Sequence, residues 1–315
     1  WGIVFLFAFR ILFDFIIIPL FFKNVIDLMT NGDSIRNNLT GSIFSLIYLI
    51  ISLMFLVSIA ARGRAFLYAD FMSKMIGNLR NFAFEKIEKN SPTFFHNTFA
   101  GSLVTKIRRF VIAFEVMFDI FIFNFIQILV ILIGAFVVLL NESIYITTIL
   151  FSLVFIYLLI VSFFVKHKIK YDLLEAEQDS KISGRLSDTF GNILAVKFFS
   201  ARKHEINSFG EYVEEGRKRT KKVFSLGNNI DLFQSFFGFF IYSVILYVLA
   251  NLWLDNKIST GLVVLVSAYI NTILFRLWDL TNALVKFMKA ASDMKETIDI
   301  FEIIPDVLDK ENTEK

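Results

Sequence analysis

The chain of 315 residues has no cysteine, three prolines and three histidines. Without cysteine there is no disulfide, no thiolate ligand and no thiol nucleophile. His96, His167 and His204 stand far apart, and no ligand-spaced cluster surrounds any of them, which argues against a metal site. Charge is scarce as well. Asp, Glu, Lys and Arg make up 19% of the residues, against about 25% in an ordinary soluble domain. There is no GxxxxGK[ST] run and hence no phosphate-cradling loop. No Ser–His–Asp order and no carboxylate pair reads as catalytic. The chain is therefore expected to hold no catalytic centre and no cofactor of its own.

What is abundant is apolar. Hydrophobic residues make up 56% of the chain, and Phe alone contributes 40. So many large apolar side chains exceed what one water-soluble core can hold, so much of this surface is expected to face lipid. Six apolar segments stand out, at about 1–28, 39–61, 110–140, 144–165, 226–250 and 258–280. The first is interrupted at Pro19. A helix needs about 20 apolar residues to span a bilayer, so the expected fold is all-α and polytopic, with six transmembrane helices. The chain opens at Trp1 inside an apolar run and without Met, which reads as a segment of a longer protein. That first run is also too long for a signal peptide.

The spaces between the runs are unequal. Short polar links fall near 29–38, at Asn141–Ser143 and at 251–257. The segments 62–109 and 166–225 are long, poor in Gly and Pro, and helical in period: Met75, Leu79 and Phe82 mark one side, Lys74, Asn78 and Asn81 another. They read as extensions of the spans, with arms of about 36 Å from about 24 residues at 1.5 Å each. The arms hold 22 of the 32 Lys and Arg residues, nine in the first and thirteen in the second, whereas the short links hold only Arg36 and Lys257. Basic residues favour the cytoplasmic side. Arg62, Arg64, Arg108, Arg109, Lys166 and Lys168 lie nearest the runs and agree, which puts both arms and both termini in the cytoplasm of a cell-membrane protein. Membrane topology explains the basic clusters, so no nucleic-acid partner is expected.

Ionisable and amide side chains inside the spans are costly and mark candidate positions. Arg10 and Asp14 are four apart on one helix face and can pair; Glu115 and Asp119 have the same spacing in the third run. Asn124 and Gln127 lie deeper, Asp231 falls early in the fifth run, and Arg276 and Asp279 late in the sixth. Two roles compete for this set, a polar lining of a substrate path and structural helix–helix pairing. Tyr48, Tyr157, Tyr242, Tyr247 and Tyr269 are candidates for an aromatic cavity lining.

Three stretches carry a family resemblance: SPTFFHNTFAGSLVTKIRRF at 91–110, GRLSDTFGNILAVKFFSARKHEINSF at 184–209, and AASDMKETIDIFEIIPDVLDK at 290–310. In their order and spacing they resemble the two intracellular loops and the last-helix exit of the type 1 transmembrane domain of ABC exporters. Nearly the whole chain, 1–315, is covered. Phe110 and Met294–Lys295 depart from the family pattern and suggest a divergent exporter or one half of a heterodimer. The resemblance implies an ATP-driven translocation domain for lipid, peptide or amphipathic drug-like substrates, working by alternating access. It implies a second copy or homologous half-transporter, nucleotide-binding domains in cis and trans that carry ATP and Mg2+, and an exit toward such a domain at 285–315. It also implies a coupling helix in each loop. Pro92, Phe94, Phe95 and His96 belong to the first, with Ser91 as its cap; Arg202, Lys203 and Glu205 belong to a second near 201–211. A non-transporting scaffold or regulator of the same fold, or a secondary transporter, are the alternatives. The latter predicts internal repeats and broken helices, which the sequence does not display.

Overall fold

The computed structural model describes residues 1–30, 36–97 and 100–302. The link at 31–35 and the helix end near Ile304–Pro305 lie outside the described residues. Among those described there are helices and no strands. Eight helical stretches follow one another: α1 (Gly2–Thr30), α2 (Arg36–Glu88), α3 (Pro92–Asn97), α4 (Ala100–Glu142), α5 (Ile144–Gly191), α6 (Ile193–Phe198), α7 (Arg202–Leu254) and α8 (Thr260–Phe301). All but α3 and α6 are long and apolar enough to cross a membrane.

The long helices outrun a bilayer. α2 and α7 have 53 residues each, about 80 Å at 1.5 Å per residue, against a hydrocarbon core of about 30 Å. The apolar faces of α2, α5 and α7 are largely unburied: Phe55 is 69% exposed, Phe163 72% and Phe239 72%. In water such rings would be a large aggregation surface; facing lipid they cost nothing. The protein is accordingly a multi-pass membrane protein.

The helix ends follow local chemistry. Ser91 Oγ accepts from the Phe94 amide at 3.4 Å, and Pro92 takes the first position of α3, where its missing N–H costs no bond. Ser143 alone separates α4 from α5, with an extended backbone and an Oγ that accepts from the Ile146 amide at 3.4 Å. Ser259 caps α8, accepting from the Leu262 amide at 3.2 Å.

One expected element lies elsewhere. Residues 201–211 form no separate second loop helix; from Arg202 they are the opening turns of α7. The short helix is α6, at Ile193–Phe198. The break falls at Ser200, whose φ of 51° lies in the left-handed region. Beyond it nothing interrupts the helical hydrogen bonds, so the charged run extends α7.

The chain forms two compact units, one of residues 1–147 with those from 246 on, the other Thr148–Ile245. In the first, α8 packs along α4 and α1 through a stripe at helical spacing: Leu262, Val266, Tyr269, Ile273 and Leu277, all buried. The second is an antiparallel helical hairpin of α5 and α7 held by rungs along its length. Gln234 Nε2 donates to the Tyr157 hydroxyl at 2.8 Å, Thr220 Oγ1 to Glu175 at 3.0 Å, and Gln178 Nε2 to the Tyr212 carbonyl at 3.0 Å. Arg185 Nη2 closes it with Glu205 at 2.7 Å.

Candidate functional site

Two of the spanning helices are not uniformly α. Phe13–Ile17 of α1 and Phe121–Ile126 of α4 are π-helical. Single π turns inside α-helices recur at functional sites. The first has a visible cause. Pro19 cannot donate, and its ring crowds the carbonyl four residues back, which belongs to Phe15. A wider turn there accommodates it, and the buried stripe of α1 shows the inserted residue: Phe7 to Ile11 is four positions, Ile11 to Ile16 is five. The Ile16 carbonyl accepts from the buried Tyr269 hydroxyl of α8 at 2.9 Å.

Arg276 of α8 touches both irregular helices. Its guanidinium lies 5.2 Å from the ring centroid of Phe15, in the first π segment. On the other side it meets Gln127, the residue that follows the second. Oriented by its partners, the Gln127 amide accepts from Arg276 Nε at 3.0 Å and Nη2 at 3.1 Å and donates to the Phe123 carbonyl at 2.6 Å. Arg276 Nη1 also reaches Asp279 at 3.3 Å. Beside this cluster is a cleft of about 250 Å³ lined by Phe15, Asn271, Thr272, Phe275 and Arg276. A ring-stacked arginine with amide and carboxylate partners is a group that holds its place in low dielectric and still offers donors to a polar ligand.

The other in-span candidates have partners of their own or lie partly buried on their helices. Arg10 Nε pairs with Asp14 at 3.2 Å. Asp119 accepts from the hydroxyl of Tyr68 on α2. Glu115 and Asn124 are half-buried on α4, and Asp231 is half-buried on α7 one turn before Gln234. Tyr157 and Tyr269 are buried and hydrogen-bonded, whereas Tyr48 is 67% and Tyr247 73% exposed.

A second polar group escaped the sequence reading. Lys23 of α1 pairs with Glu142 at the end of α4. One turn on, Asp27 Oδ1 accepts from the Gly261 amide at 2.8 Å, in the first turn of α8. The signal was two charges four apart near the end of an apolar run, and their partners lie more than a hundred residues away. Phe110, the departure from the family pattern, is buried and meets Phe301 edge to face at 5.3 Å, while Phe82 of α2 meets the same ring at 5.7 Å.

The loop tips have their own chemistry. On α3, Phe94 and Phe95 stand edge to face at 5.3 Å, and Phe95 and His96 are exposed. Nearby, the exposed Lys89 bonds Glu85 at 2.8 Å, which, by that bond first and by attraction second, holds its ammonium above the ordinary range. On α6 and just past it, Phe198 is 82% and Phe199 83% exposed. Arg202 and Lys203 are exposed; Glu205 is engaged by Arg185 and by Thr189 Oγ1 at 3.1 Å.

Comparisons with known proteins come to one family. Residues 1–277 match the model described as the ABC transporter transmembrane region. Among curated proteins none matches the sequence significantly. Among solved structures the chain is similar to one titled as a bacterial Atm1-family ABC exporter with ATP bound, with a TM-score of 0.78 and 18% identity. The match covers 98% of this chain and 54% of that one, so the chain spans about half the length of its structural relative. The six spanning helices, the overlong extensions and the family match together place the chain in the ABC transporter transmembrane region family, with the fold of an exporter's transmembrane domain.

Proposed function

We propose that this domain moves an amphipathic substrate across the cell membrane by alternating access, driven by ATP hydrolysis on nucleotide-binding domains that dock on its two loop tips. ATP and Mg2+ belong to those domains, and two six-helix domains, identical or homologous, enclose the pathway. Both tips and both termini then lie in the cytoplasm, in keeping with the segregation of Lys and Arg. Lipids, peptides and drug-like amphiphiles form the substrate class to screen.

The observation that carries this reading is apolar exposure where no lipid can cover it. Phe95 is 43%, Phe198 82% and Phe199 83% exposed, at the ends of helices that outrun a bilayer by about 50 Å. Burying a Phe side chain is worth about 2 kcal/mol, so these rings gain by entering a partner's groove. Pro92 and the Ser91 cap fix the first tip, and the turn at Ser200 fixes the second.

The test uses the full-length protein reconstituted in lipid. Replacing Phe198 and Phe199 by Ala, or Phe94 and Phe95 by Ala, is expected to lower substrate-stimulated ATP hydrolysis and transport together, with membrane insertion intact. Coupling that survives both double substitutions sinks the proposal. ATP hydrolysis that no lipid, peptide or amphiphile stimulates, and that moves none of them, points to a scaffold or regulator.

A further inference from the structure

The cleft between α1 and α2 belongs to neither the Arg276 cluster nor the loop tips. It encloses about 280 Å³, lined by Arg10, Asp14, Ser58, Arg62, Arg64 and small residues of α2. Its place in the sequence is informative. Residues 41–61 contain no charge, and Arg62 is the first after them. The cleft therefore opens at the level where the apolar face of α2 gives way to charge, the depth of lipid headgroups. Ser58, Ala61, Arg62 and Ala65 recur at three, four and seven positions along one face of α2, and Arg10 and Asp14 face them from α1.

Three guanidiniums and one carboxylate line it. Asp14 is taken by Arg10 at 3.2 Å. The Arg64 guanidinium is held between the rings of Phe7 and Phe123, its central carbon 5.4 Å and 5.0 Å from their centroids, close enough to Arg10 for the two like charges to repel. Its Nε is shielded from solvent and has no hydrogen-bond partner. The rings fix the position of a guanidinium whose Nε–H is not used by the groups around it.

We infer that this cleft binds a phosphate-type anion presented by a lipid headgroup, with Arg62 and Arg64 as its ligands and Arg10 as the neighbouring charge. Planar guanidiniums pair with phosphate oxygens through two parallel N–H bonds, which a single ammonium cannot reproduce. The position at the edge of the apolar run selects a headgroup over a soluble anion. The inference does not depend on ATP coupling, since binding requires only the membrane domain's own residues.

The test titrates the full-length protein, purified in a neutral detergent, with short-chain phosphatidylglycerol, phosphatidylcholine and inorganic phosphate. The readouts are bound lipid by native mass spectrometry and the ligand-induced shift in Tm. Phosphatidylglycerol is expected to bind about tenfold more tightly than phosphatidylcholine. Arg62→Gln should raise its Kd about tenfold, and Lys74→Gln, on the exposed side of α2, should leave it unchanged. The lipid-free Tm of Arg62→Gln shows whether that exposed substitution has disturbed the fold, and Arg62→Lys, which keeps the charge and loses the fork, should give an intermediate loss. Equal affinity for the two lipids, or undiminished phosphatidylglycerol binding by Arg62→Gln, overturns the inference. Displacement of the lipid by equimolar inorganic phosphate overturns the headgroup assignment in favour of a soluble anion.

Discussion

The phenol of Tyr269 donates to the main-chain carbonyl of Ile16 at 2.9 Å, both residues buried. A side chain of the last helix thus satisfies a backbone group of the first at the turn that Pro19 widens. Tyr269→Phe keeps the ring and removes the donor. The expected loss is about 1 kcal/mol, read as a lower Tm in detergent, with the family fold retained. An unchanged Tm would mean that the wide turn supports itself.

Two glycines should respond in opposite directions. A Cβ on Gly261 would lie 2.3 Å from the Lys23 carbonyl oxygen and 2.6 Å from Asp27 Oδ1, so Gly261→Ala must push α8 off α1 and break the Asp27 bond. A loss of about 2 kcal/mol or more is expected. A Cβ on Gly77 of α2 meets nothing within 4 Å, so Gly77→Ala should stabilise that helix by about 1 kcal/mol. Thermal unfolding of the two variants side by side decides it.

Lys23 and Glu142 are 13% and 26% exposed in their side chains, and the pair joins the ends of α1 and α4. Removing either partner leaves the other charge with little water, so Lys23→Ala or Glu142→Ala should each cost about 2 kcal/mol or more. A double-mutant cycle should give a coupling energy well above the few tenths expected of independent sites. Additive losses would show the contact to be incidental.

Ser200 pays for its left-handed backbone, with φ at 51°. Ser200→Gly should relieve about 1 kcal/mol of local strain, seen as slower proteolytic nicking between α6 and α7. If instead the strain sets the angle at which Phe198 and Phe199 are presented, stimulated ATP hydrolysis of the full-length protein will fall as resistance to proteolysis rises.

The six spans could be read from the sequence because each is a local property: a run of about 20 apolar residues admits few alternatives. The extensions were legible through helical periodicity, and Ser91 with Pro92 through capping chemistry. The π segments were not. Pro19 signals an interruption, but the bond that caps the wide turn comes from Tyr269, 253 residues beyond Ile16. Arg276 and Gln127 were each flagged as costly in a membrane, yet their contact is set by the packing of α8 on α4. The second loop helix is not fixed by the sequence alone, because the charged run from Arg202 reads as a helix whether it stands alone or opens α7. Only the backbone turn at Ser200 separates the two cases.

The length of α2 has a mechanical consequence. A continuous helix of 53 residues is a rod of about 80 Å. Pivoting it by about 5° about one end carries the other through about 7 Å, more than a full helical turn of 5.4 Å. A small rotation inside the bilayer thus becomes a large stroke at the far end, and the same gearing in reverse trades a long travel at the tip for force on the packed side chains around Tyr68 and Arg64.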